Sequence, residues 1–121
     1  MATILDLIGA KDFLPEDQDG ISIAPTLLGK KQTERLFLYR EFSGYGGQQA
    51  VWLGKWKGIR QKMLRKGKNQ DPLKIELYDL VADPSESKDL ASKNPEVLKR
   101  LAKLMVDQHV PSPHFPIKPI D

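Results

Sequence analysis

The most regular hydrophobic pattern of the chain lies near its C-terminal end. Apolar residues recur there at spacings of one, four, seven and eight residues, as Val97, Leu98, Leu101, Leu104 and Met105. This spacing predicts one continuous apolar face on an α-helix. Asn94 is a favourable N-cap, Pro95 fits the first helical position, and Glu96 meets the positive end of the helix dipole. We therefore expect a long helix that packs this face on the core.

Four segments before that helix have the aromatic and apolar composition of β-strands. They are residues 35–42, 49–53, 56–63 and 73–80. Gly54-Lys55 separates the second segment from the third, and a Gly-X pair suits a two-residue type II′ hairpin turn. The pattern predicts an α+β fold, a four-stranded antiparallel sheet packed by one long C-terminal helix.

The two ends of the chain have weaker patterns. Residues 3–8 predict a short helix that ends at Gly9, a residue favoured just after a helix. An extended connector rich in Asp, Pro and Gly follows, with one helical turn at 26–28. The prolines after His109 predict an extended tail without regular structure. We expect three parts: 1–31, 32–110 and 111–121.

Composition narrows the class of protein. The chain has 121 residues, of which 40% are hydrophobic, enough for one modest core. No apolar run approaches the ~20 residues of a membrane span, and the first ten residues do not have the pattern of a secretory signal peptide. Cysteine is absent, which excludes disulfides and thiolate chemistry and leaves the compartment undetermined.

Charge is mild overall, at +3, but unevenly distributed. Residues 42–70 contain no acidic residue, while Tyr45, Trp52 and Trp56 alternate with basic residues. The basic residues are Lys55, Lys57, Arg60, Lys62, Arg65, Lys66 and Lys68. This stretch leaves open a basic β-sheet module that binds nucleic acid or a sulfated glycan. Such a stretch more often forms a solvated basic surface, and the small net charge argues against nucleic-acid binding.

Two motifs carry a resemblance to a known family. One is the hairpin 49–57, and the other is the string 77–91, which includes the predicted turn at Asp83-Pro84. Together with Asp19-Gly20 and the segment 25–30, they resemble the C-terminal subdomain of the sulfatases, the arylsulfatase-type sulfuric ester hydrolases. The resemblance assigns residues 1–31 to the end of a catalytic domain and 32–110 to the subdomain that packs on it. Members of this family are often periplasmic, lysosomal or secreted.

The catalytic chemistry of that family is missing from the sequence. Sulfatases use a formylglycine made from a Cys/Ser-x-Pro-x-Arg motif and a divalent metal, calcium. Ser22 and Ser112 both precede prolines, but neither has the spacing or the arginine of the motif. We expect no catalytic residue and no metal site here, so the chain alone is predicted to be inactive and its partner to be a catalytic domain.

Other residues that could bind a metal have simpler interpretations. Asp17 and Asp19 lie in a loop and are expected to be solvated, because calcium requires six to eight oxygen ligands. His109 and His114 are expected to be surface or tail histidines.

The resemblance implies that loops of the subdomain line one side of a substrate pocket. The substrate-contact candidates are Tyr39, Arg40, Glu41, Tyr45, Gln48 and Gln49. Arg40 stands where the family often has Trp, and Trp52 where it often has Arg, so these two positions depart from the family pattern. The open alternative is that the strand aromatics Phe37, Tyr39, Trp52 and Trp56 are packing residues. Apolar residues at 3–8, Leu14 and 27–28 are expected to need burial against a catalytic domain or a second copy.

Overall fold

A computed structural model describes residues 1–16, 18, 20–65, 67 and 71–121. The chain divides into two compact units, Met1–Arg35 and Leu36–Asp121. The expected acidic loop residues Asp17 and Asp19, and Lys66 and Lys68 of the basic stretch, lie outside the described residues.

The first unit contains two short helices, α1 (Ala2–Leu7) and α2 (Ala24–Leu27). Each ends at a glycine with positive φ, 72° at Gly9 and 68° at Gly29, a conformation that is least costly for glycine. The predicted stop at Gly9 is confirmed, and α2 begins two residues before the predicted turn. The apolar side chains expected to need burial remain exposed here, including Ile4 at 65% and Leu27 at 61%.

The second unit is built on a four-stranded antiparallel sheet in the order β1-β2-β3-β4. The strands are β1 (Leu38–Phe42), β2 (Gln48–Leu53), β3 (Trp56–Gln61) and β4 (Glu76–Asp79). Gly54 has a positive φ of 57° and Lys55 has a negative φ, as the predicted type II′ turn requires. The predicted α+β fold is confirmed.

Three strands are shorter than predicted, for local reasons. β3 ends at Gln61, because Lys62 has a φ of 57°, outside the extended region. β1 begins at Leu38, which pairs with Trp52. β2 ends at the hairpin turn after Leu53, so the β1–β2 ladder cannot extend as far as the predicted start at residue 35. β4 begins at Glu76, because Asp71 accepts the backbone N–H of Leu73 at 2.9 Å and turns the chain there.

The predicted C-terminal helix is α3 (Pro95–Asp107). Leu101 and Met105 are fully buried against Val51, Leu77 and Ile75, which confirms the apolar face. Gly58 permits this close packing, since a Cβ there would lie 3.1 Å from Leu101 Cδ1.

Asn94 occupies the N-cap position, but its predicted capping role is wrong. Its side-chain amide donates to the backbone carbonyl of Leu90 at 3.1 Å, and no side chain caps the helix. The amide is used to hold the preceding turn, Ala91–Lys93, against the helix start.

Two aspartates organise the loop between β4 and α3. The predicted Asp83-Pro84 turn is present, with the Glu86 N–H donating to the Asp83 carbonyl at 3.2 Å. Asp89 Oδ1 accepts the N–H of Leu77 at 3.0 Å and that of Ala91 at 2.9 Å. The loop is therefore tied by hydrogen bonds to strand β4.

The tail after α3 forms no helix or strand, as predicted, but it is anchored. Ile117 is only 2% exposed. Within the part of the chain that the structure describes, no helix is long and apolar enough to span a membrane.

Candidate functional site

The six substrate-contact candidates separate onto two faces of the sheet and one loop. Alternation along the strands places Tyr39, Glu41 and Gln49 on the inner face, which α3 covers. Arg40 and Gln48 lie on the opposite, outer face, beside Trp52 and Ile59. Tyr45 lies in the loop between β1 and β2.

Gln49 is the centre of a polar network on the inner face. Its side chain is 1% exposed, and its Nε2 donates to Tyr39 Oη at 2.8 Å and to the Met105 carbonyl at 3.0 Å. Its Oε1 accepts from Arg60 Nη1 at 2.7 Å. The amide of Gln49 is thus fully engaged with protein groups, which links the sheet to α3.

Arg60 is part of this network, a role that the sequence analysis missed. The residue is 8% exposed, and its Nε donates to the Leu73 carbonyl at 3.1 Å. Burial lowers the pKa of its guanidinium from the ordinary value. Its charge is therefore held inside the unit, and Arg60 does not belong to a basic surface.

Two other members of the basic stretch are paired as well. Lys57 Nζ lies 2.6 Å from Glu86 Oε1, and Lys55 Nζ lies 2.6 Å from Asp79 Oδ2. The hydrogen bond from Lys55 holds the pKa of Asp79 below its usual value. These internal contacts reduce the charge available to a nucleic acid or a sulfated glycan.

Glu41 joins the network to the tail. Its Oε1 accepts from the Tyr39 hydroxyl, from His109 Nδ1 at 2.7 Å and from Gln49 Nε2 at 3.3 Å. His109 Nε2 lies 3.3 Å from Asp121 Oδ1, without the alignment of a hydrogen bond. Two carboxylates therefore flank the His109 ring.

The prediction that His109 is a surface histidine is wrong, whereas His114 is exposed as predicted. The His109 side chain is 11% exposed, because the anchored tail folds back beside it. Glu41 is 68 residues away in the chain, so no local sequence signal could have revealed this contact.

Tyr45 is held in an exposed and strained position. It is 80% exposed and has φ of 53°, which is unusual for a residue with a side chain. The N–H of Leu64 donates to the Gly46 carbonyl at 2.7 Å, which fixes the loop against the segment after β3. A Cβ at Gly44 would lie 2.4 Å from the Phe42 ring, so a larger residue there would have to displace that ring. The loop presents an aromatic ring in a defined place.

The aromatic residues of the strands have packing contacts. Phe37, Tyr39 and Trp56 pack against the buried cluster under α3, and Trp52 packs against Ala50, Ile59 and Tyr78 on the outer face. Beside Trp52 the outer face has a shallow cleft of about 110 Å³, where the Arg40 guanidinium lies 5.6 Å from the Phe42 ring centroid. This geometry can combine stacking with a cation.

A second, larger cleft lies between the end of β1 and the tail. Its volume is about 310 Å³, and we call it the tail cleft. Its lining residues are Glu41, Phe42, Ser43, Ser112, Phe115 and Ile117.

The described residues do not fit the divalent metal of the family. Across 1–16, 18, 20–65, 67 and 71–121, no group of three or more His, Asp or Glu side chains could hold a metal ion. The sequence has no cysteine that could become a formylglycine, and neither Ser22 nor Ser112 stands in the required motif. The part of the chain that the structure describes therefore supplies no ligand set for the metal of this family.

The buried tyrosines predict a loss of stability at alkaline pH. Burial, and next the hydrogen bond to Glu76, raise the pKa of Tyr78 to about 12, and burial beside Glu41 raises the pKa of Tyr39 further. An unfolded tyrosine ionises near pH ~10, so the unfolded chain loses its protons first. The stabilisation is complete below about pH 10 and is lost as the pH rises from about 10 through 12. Urea unfolding across pH 9 to 12, at roughly half-unit steps, measures it.

The double variant Tyr39→Phe/Tyr78→Phe is the control for this alkaline loss. It should lose less stability over the same pH interval, because its lysines still titrate but the two hydroxyls are gone. Equal losses in wild type and double variant would contradict the assignment.

The chain is similar to part of a longer curated protein. No protein-family model matches the chain. An N-acetylgalactosamine-6-O-sulfatase of Bacteroides thetaiotaomicron is 30% identical over 114 residues, covering 87% of this chain and 21% of the relative. The chain thus spans about a fifth of the length of the curated relative it matches.

Solved structures agree in fold. A 6S-sulf protein from a glycosaminoglycan-metabolism locus of Bacteroides thetaiotaomicron is 29% identical, with a TM-score of 0.62 over 88% of this chain and 23% of its own. A protein solved with its substrate D-glucosamine-2-N,6-O-disulfate is 22% identical, with a TM-score of 0.65 over 88% of this chain and 22% of its own. The second likeness supports the fold alone.

Proposed function

Because the chain belongs to the sulfatase family and corresponds to a C-terminal part of its members, we propose that it is the accessory lobe of a sulfuric ester hydrolase. The lobe packs on a catalytic domain and lines one side of the substrate pocket, without catalytic residues of its own. The observation that carries this proposal is a match over 87% of this chain that spans only 21% of the relative.

Exposed apolar surface supports docking on a larger partner. In the first unit Ile8 is 68% exposed and Leu28 is 59% exposed. On the outer face of the second unit Leu38 is 46% exposed. Apolar patches of this kind commonly mark protein interfaces. When the chain is studied alone, the same surfaces are candidates for self-association.

The candidate residues divide by role in this proposal. Arg40 and Tyr45 point away from the core and are the proposed substrate contacts, with Gln48 beside Arg40 on the outer face. Tyr39, Glu41 and Gln49 support strand β1 from the inner face and hold these contacts in place. The substrate class is taken from the relative that acts on N-acetylgalactosamine 6-O-sulfate by name, so we propose a sulfated hexosamine.

Catalysis in this proposal belongs to the rest of the polypeptide. The divalent metal, calcium, and the formylglycine of the family would both be held there, and they would supply the nucleophile and its activation. The accessory lobe contributes binding and shape, which raise the rate by orienting the substrate.

Two measurements test the proposal. DNA upstream of the Met1 codon in the source genome should encode an in-frame Cys/Ser-x-Pro-x-Arg motif. The longer protein should release sulfate from N-acetylgalactosamine 6-sulfate, while the 121-residue chain alone should not hydrolyse 4-methylumbelliferyl sulfate. Turnover by the pure 121-residue chain would overturn the proposal.

Two variants of the longer protein test whether the chain docks through the outer face. Leu38→Glu places a charge on the outer face, and Val106→Glu places one at an α3 position that is 68% exposed. We expect Leu38→Glu to reduce the yield of soluble, active protein and Val106→Glu to leave that yield unchanged. Equal yields and activities would argue against docking through the outer face.

A further inference from the structure

The tail cleft has the size and the fixed walls of a small-molecule site. Its volume of about 310 Å³ lies at the lower end of the range for ligand pockets. One wall is the end of β1, and the other is the tail, which Ile117 anchors at 2% exposure. The cleft is therefore formed by the fold itself.

Glu41 offers one free acceptor to this cleft. Its Oε1 already receives three donors, from Tyr39, Gln49 and His109. Among the described residues the hydrogen bonds and the ion pair of Glu41 are made through Oε1, and none of them involves Oε2. Both oxygens of a carboxylate carry acceptor lone pairs, so Oε2 can accept hydrogen bonds in addition to those at Oε1. The network orients the carboxylate so that Oε2 is available to a ligand that donates hydrogen bonds.

The remaining lining groups are aromatic rings and hydroxyls. Phe115 is 69% exposed and Phe42 is 41% exposed, so both present apolar area to the cleft. Ser43 and Ser112 add hydroxyl groups that donate and accept. An apolar ring face with a few polar groups around it is the chemistry that matches a pyranose, which has C–H faces and equatorial hydroxyls.

The charge of the cleft selects against a sulfate. Glu41 is the one ionisable residue among the six lining residues, and at neutral pH it repels an anion. The nearby Arg40 lies over the Phe42 ring on the outer face and does not line the tail cleft.

We propose that the tail cleft binds an unsulfated pyranose ring, whose hydroxyls donate to Glu41 Oε2 and whose C–H face packs on Phe115. The ligand class rests on the proposed function, because a glycan that carries sulfate on some of its rings also contains rings without sulfate. The accessory lobe would then recognise the glycan next to the sulfated position.

The test uses the 121-residue chain and needs no catalysis. Amide NMR spectra are titrated with methyl β-D-galactopyranoside, and in parallel with galactose 6-sulfate and with methylammonium. We expect shifts confined to the lining residues with the uncharged sugar, and weaker effects with the other two. Absence of such shifts at millimolar sugar, or tighter binding of the sulfated sugar or of methylammonium, would overturn the proposal.

Matched variants locate the binding. Phe115→Ala should raise the Kd about tenfold, a loss of roughly 1.4 kcal/mol, while Phe13→Ala, at a position 80% exposed in the first unit, should leave it unchanged. Glu41→Gln should also weaken binding, with melting temperature recorded because Glu41 supports the network. An unchanged Kd in Phe115→Ala would refute the site. Sulfate release by the longer protein tests the proposed function independently, so the two can fail separately.

Discussion

Replacement of Leu101 by alanine should lower the free energy of unfolding by roughly 2 to 5 kcal/mol, the range for a large buried aliphatic side chain. Leu101 is fully buried and packs with Val51, Leu77 and Met105 in the core between the sheet and α3. Gly58 contributes no side chain that could fill the space left behind. The cavity should persist, which places the expected loss toward the upper part of the range. Urea denaturation at neutral pH measures it as a shift of the midpoint.

The matched control is Val106→Ala on the same helix. Val106 is 68% exposed, so its truncation should change the stability by about 0.5 kcal/mol or less. If Leu101→Ala and Val106→Ala unfolded at the same urea concentration, α3 would not pack on the sheet through its predicted face.

The parts of the fold that follow local rules could be predicted from the sequence. The apolar face of α3 depends on spacings of at most eight residues, and the turn at Gly54 depends on one glycine with positive φ. The helix boundary at Asn94 was predicted correctly. Its capping role was not, because the side-chain amide donates to the Leu90 carbonyl instead. Strand ends were less predictable, since a ladder extends at most as far as the neighbouring strand: β2 ends at Leu53, so β1 could not begin at residue 35.

The candidate site was predictable only in part. Tyr39, Glu41 and Gln49 were selected by resemblance, and the structure brings these three together. Arg60 and His109 were missed, because their partners lie 11 and 68 residues away in the chain.

The basic stretch shows the same limit of sequence reasoning. Its charges were assessed against sequence neighbours, whereas Lys57 pairs with Glu86, 29 residues later. Lys55 likewise pairs with Asp79, 24 residues later. Long-range pairing of this kind depends on the sheet register, which no local pattern contains.

Replacement of Gln49 by leucine should be the second large effect, a loss of roughly 2 to 3 kcal/mol. The substitution nearly conserves volume but removes the acceptor of Arg60 Nη1 and the donor to the Met105 carbonyl. The guanidinium of Arg60 would remain in a residue that is 8% exposed, with the Leu73 carbonyl as its one hydrogen-bond partner among the described residues. A buried charge without its partner costs more than a lost neutral hydrogen bond. Thermal and urea unfolding of the purified variant measure this loss.

A double-mutant cycle separates this charge effect from packing. Arg60→Leu alone leaves the Gln49 Oε1 unpaired, whereas Gln49→Leu/Arg60→Leu removes both polar partners at once. The double variant should therefore be more stable than the sum of the single losses predicts, by about 1 kcal/mol or more. Gln48→Leu on the outer face is the control, because Gln48 is only half-buried and lies outside the inner-face network. Strict additivity, or an equal loss in Gln48→Leu, would show that Arg60 does not depend on Gln49 for its place in the fold.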